Sequence, residues 1–316
     1  MRSNPENPKE KEMGESFRGI FAALTTPFVG EDVSLEKSRE NIRRYNRTDL
    51  AGYVILGSTG EAVFLSDEES EKLVAEVKAS ASAGKKIIVG TSRESTRLTI
   101  EFTNRMAELG ADAALVKPPY YYKSRMSQDI LKDHYLRIAE KSRMPLLIYN
   151  IPQNTGISVD PPLIIELSRH PNIAGIKDSS GNLANLVETL PGVRRGFDFL
   201  LGAGSILWPG LLLGASGGIL ALAAAIPNLC VNLYALYREG HLGEARKLQF
   251  ALAPLNKTLT QTMGIPAIKY ALDLLGYYGG PPRLPFHPLK EKERKQIHDL
   301  LDKLGLLAGR PLRKKR

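Results

Sequence analysis

The stretch Ile173-Ala174-Gly175-Ile176-Lys177-Asp178-Ser179-Ser180-Gly181 is an apolar run of strand type that ends in a lysine and passes at once into small polar residues and a glycine. A free lysine, with a pKa of roughly 10.4, is protonated and a poor nucleophile near neutrality. Burial disfavours the charged form, and a desolvated amine can attack a carbonyl, which is how Schiff-base enzymes begin. On this segment alone a surface lysine closing a strand is an equal reading, so the flanking elements must decide.

Working outward, the same unit recurs. Before it lies a short apolar strand, 146–149, and then a helix opened by Asp160-Pro161, with Asp160 as N-cap and proline at the first helical position. After it come a helix from about Leu183, a strand over 197–201, a helix over 205–213, a strand over 217–222 and a helix over 226–238. Toward the N-terminus, strands are expected over 19–24, 52–56, 86–90 and 112–116, with helices opening at Ser34, Ser66, Ser95 and Ser127. Ser66-Asp67-Glu68-Glu69 has the spacing of a capping box, and Leu73, Val74 and Val77 give that helix an apolar stripe. Eight short apolar strands bounded by glycine or proline and alternating with eight helices predict an α/β protein, a (β/α)8 TIM barrel. A doubly wound open sheet is the main alternative, but no Gly-x-Gly-x-x-Gly follows the first strand. After Gly240 the pattern turns to helices only, over 243–255, 265–275 and 289–304, with a Gly/Pro loop over 276–288. The expected division is therefore an extension over 1–16, the barrel over 17–240, a C-terminal helical appendage over 241–307 and a basic tail over 308–316.

Composition agrees. The 316 residues are 43% hydrophobic and 24% charged, ordinary for a soluble globular chain long enough to bury a large core. The net charge of +9 includes five charges of the tail, Arg310, Arg313, Lys314, Lys315 and Arg316, so the body carries about +4 and does not call for a nucleic-acid partner. One cysteine, Cys230, excludes an intrachain disulfide and suits a reducing, cytoplasmic setting. Residues 199–237 lack any charge, but glycines and prolines cut them into pieces too short for a bilayer helix.

In such a barrel the chemistry sits at the C-terminal ends of the strands. The second strand ends in Gly57-Ser58-Thr59-Gly60-Glu61, two hydroxyls and a run of backbone N–H groups suited to a carboxylate, though also ordinary turn chemistry. The fourth leads to Lys117-Pro118-Pro119-Tyr120-Tyr121-Tyr122, the fifth ends in Tyr149-Asn150-Ile151-Pro152, and the sixth ends in Lys177. A lysine, tyrosines and anion-holding donors suit carbonyl chemistry through an imine. The five histidines are scattered, and no metal-ligand, Walker, flavin or nicotinamide motif is present, so neither metal nor cofactor is expected.

The ordered set Gly57-Ser58-Thr59-Gly60-Glu61, Tyr149-Asn150-x-Pro152 with Thr155-Gly156, and Ile176-Lys177-Asp178-Ser179 resembles the dihydrodipicolinate synthase / N-acetylneuraminate lyase superfamily from about Phe17 to Leu307. Within it, Gly110 to Ala114, Arg125-Met126-Ser127, Asn154-Thr155-Gly156, His170 to Ile173 and Gly276 to Pro281 look most like 4-hydroxy-2-oxoglutarate aldolases. The resemblance implies a class I pyruvate-dependent lyase. Lys177 would form the Schiff base with a 2-oxo acid. Tyr149 would shuttle protons with Ser58, and Tyr121 from a neighbouring subunit of a homotetramer would complete the relay. Gly57, Ser58 and Thr59 would hold the pyruvate carboxylate, Ile219 would line the pocket, and Asn154 and Ser179 would face the rest of the substrate.

One departure matters. Dihydrodipicolinate synthases carry an arginine after the Tyr-Asn-x-Pro motif to clamp the aldehyde's carboxylate, and here that position is Asn154, which has no charged fork. This favours cleavage of 4-hydroxy-2-oxoglutarate, or a similar 4-hydroxy-2-oxo acid, to pyruvate and an aldehyde such as glyoxylate. The alternatives are 4-hydroxy-tetrahydrodipicolinate (dihydrodipicolinate) synthase or a 2-keto-3-deoxy sugar-acid aldolase or dehydratase. A catalytically silent binding barrel is disfavoured by the intact Lys177, Tyr149 and Ser58.

Overall fold

The computed structural model describes residues 16–307. The expected N-terminal extension, Ser16 apart, and the basic tail lie outside the described residues. Eight parallel strands, β1 (Gly19–Ala23), β2 (Gly52–Ile55), β3 (Lys86–Gly90), β4 (Ala113–Val116), β5 (Leu146–Asn150), β6 (Ile173–Asp178), β7 (Asp198–Leu201) and β8 (Gly217–Leu220), form a closed barrel in chain order, with β8 pairing back onto β1. Closure leaves no edge strand, and both faces of the sheet are covered, which is why the strands read as unbroken apolar runs.

The period of two divides the core. Phe21 and Ala23 of β1, Val54, Ile88, Leu115, Leu147, Leu200 and Ile219 pack inside the barrel, with Phe17 among them. The alternate residues, such as Ile20, Tyr53, Ile87 and Ile148, pack outward against the helices. The helices start where their caps stand. Ser34, Ser66, Ser95 and Ser127 each accept a hydrogen bond from the third helical N–H, and Ser66 with Glu69 forms the full capping box. Asp160 differs from the expectation: its helix, Pro161–Leu167, begins at the predicted proline, but the Asp160 side chain makes no capping bond. Several short elements escape the sequence reading, among them the hairpin Phe28–Val29/Asp32–Val33, the helical turn Pro152–Thr155 and the π-helical run Lys257–Thr262. Their length gives no periodicity to read.

The uncharged residues 199–237 resolve into β7, the helix Leu207–Leu212, β8, the turn Leu222–Ala225 and the helix Pro227–Arg238. No helix among the described residues is long and apolar enough to cross a membrane. Cys230 is a free buried thiol whose pKa is pushed up to about 12 by burial.

His134 is buried on the helix Gln128–Lys141, with Nδ1 2.9 Å from Thr96 Oγ1. Burial lowers its pKa to about 4, against partial opposition from Glu94 and Asp133 and with a further push from Lys117. The unfolded chain, with a histidine near 6.5, therefore binds the proton more readily than the folded one. The stability this neutral ring contributes is complete above pH 6.5 and is lost as the pH falls toward 4. The loss is up to about 3 kcal/mol. Urea titrations at pH 7 and pH 4.5 should show His134→Gln less acid-sensitive than the parent. Equal sensitivity would contradict the assignment.

Candidate active site at the C-terminal mouth of the barrel

Tyr149 and Lys177 are direct partners across β5 and β6. Both are buried, Lys177 to 4% exposure, and the Lys177 Nζ lies 4.3 Å from the centroid of the Tyr149 ring. Their pointing inward depends on a register slip. Leu146 pairs with Ile173, but Leu147 pairs with Gly175, so β6 carries one extra residue. Ala174 faces the interior, and strict alternation from it would turn Ile176 and Asp178 inward and Lys177 out. The extra residue reverses the phase: Ile176 joins the outer core, and Lys177 reaches Tyr149. Glycine is required at 175, because a Cβ there would lie 2.3 Å from the Asp198 carbonyl oxygen.

The outward residues at these strand ends lock the phase. Asn150 Nδ2 donates to Asp178 Oδ1 at 3.3 Å, and the Asn150 side-chain oxygen accepts from Val159 N at 3.1 Å. Asp178 also accepts from Ser180 N at 2.7 Å and from Asn185 Nδ2 at 3.3 Å. Neither residue of this brace was singled out from sequence, although each adjoins a chemically marked neighbour.

From β2 the hydroxyl of Ser58 comes within 3.5 Å of the Tyr149 hydroxyl. The loop that carries it is sharply bent: Leu56 has φ 54° and Glu61 φ 56°, the left-handed region that side chains seldom occupy. Gly57 O accepts from Gly60 N at 3.0 Å and Ser58 O from Glu61 N at 3.1 Å, while the N–H groups of Ser58 and Thr59 donate to nothing among the described residues. Two adjacent free donors with two hydroxyls make a cradle for an anion.

What holds that loop was missed in the sequence. The Glu61 carboxylate turns inward and meets Lys269 Nζ at 2.7 Å, with side-chain exposures of 0% and 1%. Lys269 also donates to the carbonyls of Thr26 and Pro281, each at 2.8 Å, and Glu61 accepts from Arg283 N at 2.9 Å. Burial lowers the Lys269 pKa, with Glu61 opposing the shift. The C-terminal helix Ile265–Leu274 thus anchors the cradle from behind. A readable signal existed, since Lys269 lies four residues from Ile265 and three from Leu272, on one apolar stripe.

The remaining predicted residues divide. Ile219 is fully buried inside the barrel, and Ser179 is buried beside the mouth. The Ser179 Oγ occupies the space a Cβ on Gly202 would need, so glycine is required there too. Asn154 is exposed on the turn Pro152–Thr155. The tyrosines do not converge on Lys177 within one chain. Tyr121 and Tyr122 stand out at 75% and 69% exposure, packed edge to face 4.9 Å apart. Their loop is pinned by Glu94, whose Oε2 accepts from the N–H groups of Tyr120 and Tyr121 at 2.9 Å each.

Comparison with known proteins agrees with this geometry. Residues 16–304 match the dihydrodipicolinate synthetase family. The chain is 34% identical over 297 residues to the 4-hydroxy-tetrahydrodipicolinate synthase of Methanothrix thermoacetophila, covering 93% of this chain and 99% of that one. It superposes on the dihydrodipicolinate synthase of Thermotoga maritima with a TM-score of 0.89 at 30% identity, covering 93% and 100% of the two chains. The dihydrodipicolinate synthase of Acinetobacter baumannii, in a complex with pyruvate, gives 0.87 at 31%, covering 92% and 99%. A closed barrel with a buried lysine and tyrosine at its mouth, matched along nearly its whole length, makes this chain a member of the dihydrodipicolinate synthetase family and a carbon–carbon lyase of the Schiff-base-forming class.

Proposed function

We propose that the protein is a pyruvate-dependent aldolase that cleaves 4-hydroxy-2-oxoglutarate, or a close 4-hydroxy-2-oxo acid, to pyruvate and an aldehyde such as glyoxylate. The observation that carries the imine chemistry is the buried pair Lys177–Tyr149 beside Ser58. The Lys177 amine adds to the substrate C2 carbonyl, and water leaves as the imine forms. Protonated, this imine accepts the electron pair of the C3–C4 bond when the aldehyde departs. Tyr149 and Ser58 move the protons that both steps require; their 3.5 Å contact is of the long kind that tightens around substrate. The free N–H groups at Ser58 and Thr59, with the two hydroxyls, hold the C1 carboxylate, and Gly57 shapes their turn. Ile219 closes the apolar side of the pocket, and Ser179 and Asn154 face the distal part of the substrate. Pyruvate bound to the Acinetobacter baumannii neighbour supports a 2-oxo acid as ligand.

Asn154 carries the choice of aldehyde: an exposed amide stands where a synthase would place a guanidinium. The second reading, 4-hydroxy-tetrahydrodipicolinate synthase, is favoured by the names of relatives such as those of Methanothrix thermoacetophila and Methanoculleus marisnigri. Values of kcat/KM for cleavage of 4-hydroxy-2-oxoglutarate and for condensation of pyruvate with aspartate semialdehyde, on one preparation, separate the two. A clear preference for the semialdehyde selects the synthase.

Tyr149→Phe should lower turnover by about 10²- to 10⁴-fold, the usual worth of a general acid–base group, while pyruvate still forms the imine slowly. Near-parental turnover would remove Tyr149 from the relay. The proposal extends to Tyr121, which reaches a neighbouring subunit in a homotetramer; a fully active monomer by light scattering would exclude it.

A further inference from the structure

The Ser58–Thr59 cradle stands on a loop, Gly57 to Leu65, that runs from the end of β2 to the N-cap Ser66. Leu56 and Glu61 hold left-handed backbone there, which costs free energy in residues with side chains and persists only where the surroundings over-determine it. Lys269 on Glu61, and the Thr26 hydroxyl that donates to Gly60 O at 2.6 Å, fix the turn itself. We infer that Arg283 fixes the rest of the loop and is a positioning residue for recognition of the substrate carboxylate.

Arg283 is part-buried on the segment between the helices Ile265–Leu274 and Glu291–Lys303, 222 positions from Glu61 in the chain. Its backbone N–H donates to Glu61 Oε2 at 2.9 Å. Its guanidinium grips three further groups. Nη1 donates to Phe64 O at 2.7 Å and to Glu69 Oε2 at 2.9 Å. Nη2 donates to Glu69 Oε1 at 2.5 Å and to Glu31 O, and Nε donates to Glu31 O at 3.1 Å. These bonds occupy all five N–H groups, so the side chain has no donor left for a ligand and acts through the loop instead. The guanidinium also lies 4.5 Å from the centroid of the Phe28 ring, which the Lys269 ammonium approaches at 4.3 Å.

Glu69 has two duties. Its Oε2 also accepts from Ser66 N at 2.9 Å, closing the capping box, so the guanidinium joins the start of the helix Asp67–Ser80 to the end of the loop. From there the constraint passes inward by short steps. Glu61, held by the Arg283 N–H, gives its own N–H to Ser58 O at 3.1 Å, and the Ser58 hydroxyl lies 3.5 Å from that of Tyr149. The free N–H groups of Ser58 and Thr59 therefore point where Arg283 and Lys269 set the turn. A lysine at 283 would keep the charge but lose the planar fork that spans Glu31, Phe64 and Glu69.

The inference rests on the proposed function in taking the cradle to bind the substrate's carboxylate. The probes are pyruvate and methyl pyruvate, an ester with the same ketone and no charge. Borohydride trapping on the full-length protein, followed by mass, is the readout. In Arg283→Lys the pyruvate concentration for half-maximal labelling should rise about tenfold or more, with one label per chain still reached at saturation, while methyl pyruvate keeps its parental value. Glu69→Gln keeps the capping acceptor and removes the charge from the fork, so it should show a smaller shift of the same kind, and it decides where Arg283→Lys does not fold. An unchanged pyruvate response would overturn the assignment. So would equal shifts for the two ketones, the result that general loosening of the fold gives. Amide hydrogen exchange without ligand is the independent arm: residues 57–61 should exchange faster in Arg283→Lys with β5 and β6 unchanged, and parental exchange over 57–61 would refute the positioning role whatever the chemistry. Failure of the imine reading is seen separately, as a parent that pyruvate and borohydride do not label.

Discussion

Lys177→Ala will take up no label when reduced with borohydride in the presence of pyruvate, whereas the parent will gain one reduced pyruvate per chain. The expectation follows from placement. An amine traps a carbonyl as an imine only when it is held where the carbonyl carbon can reach it. Lys177 is held inside the barrel against the ring of Tyr149, with Ser58 within reach of the tyrosine hydroxyl. The competing amine is Lys117, one strand beyond Tyr149 and also part-buried. Its ammonium packs on Tyr120 rather than on Tyr149, so it should not substitute. Cleavage should fall with the label, since the proposed acceptor of the C3–C4 electron pair is the imine on Lys177. Label retained by Lys177→Ala, located by peptide mass, would move the nucleophile elsewhere.

Lys269→Met should destabilise the fold by about 3–5 kcal/mol, the effect of stranding one member of a buried ion pair. Glu61 is wholly buried, and the substitution leaves its carboxylate with the Arg283 N–H but without its cation. Two carbonyls, those of Thr26 and Pro281, also lose their donor. The double variant Lys269→Met/Glu61→Gln should recover a substantial part, because no unpaired charge remains. The free energies come from urea unfolding of the parent and both variants. A loss under about 1 kcal/mol in the single variant, the scale of an exposed pair, would refute a structural role for this pair. Pyruvate affinity of the surviving folded protein should also fall, since Glu61 sits in the left-handed turn that presents the Ser58 and Thr59 donors.

What was legible in the sequence was periodic or local. The eight strands repeat an apolar run closed by glycine or proline, so their number, order and parallel sense could be read directly. The serine caps are four-residue signals, and the structure forms them as written. Lys177, Tyr149 and Ser58 could be named because a barrel gathers its strand ends at one mouth, whatever the detail.

The structure decided what depends on residues far apart in the chain. The inward turn of Lys177 hangs on one extra residue in β6, which alternation alone assigns to the wrong face. Tyr121 is kept out of its own chain's pocket by the Glu94 anchor from the neighbouring βα loop. The Glu61–Lys269 pair joins residues more than two hundred positions apart, and neither predicts the other. Local pattern is written in nearest-neighbour sterics and apolar spacing. Pairing of buried charges and the phase of a slipped strand are settled only when the barrel closes and every buried polar group must find a partner.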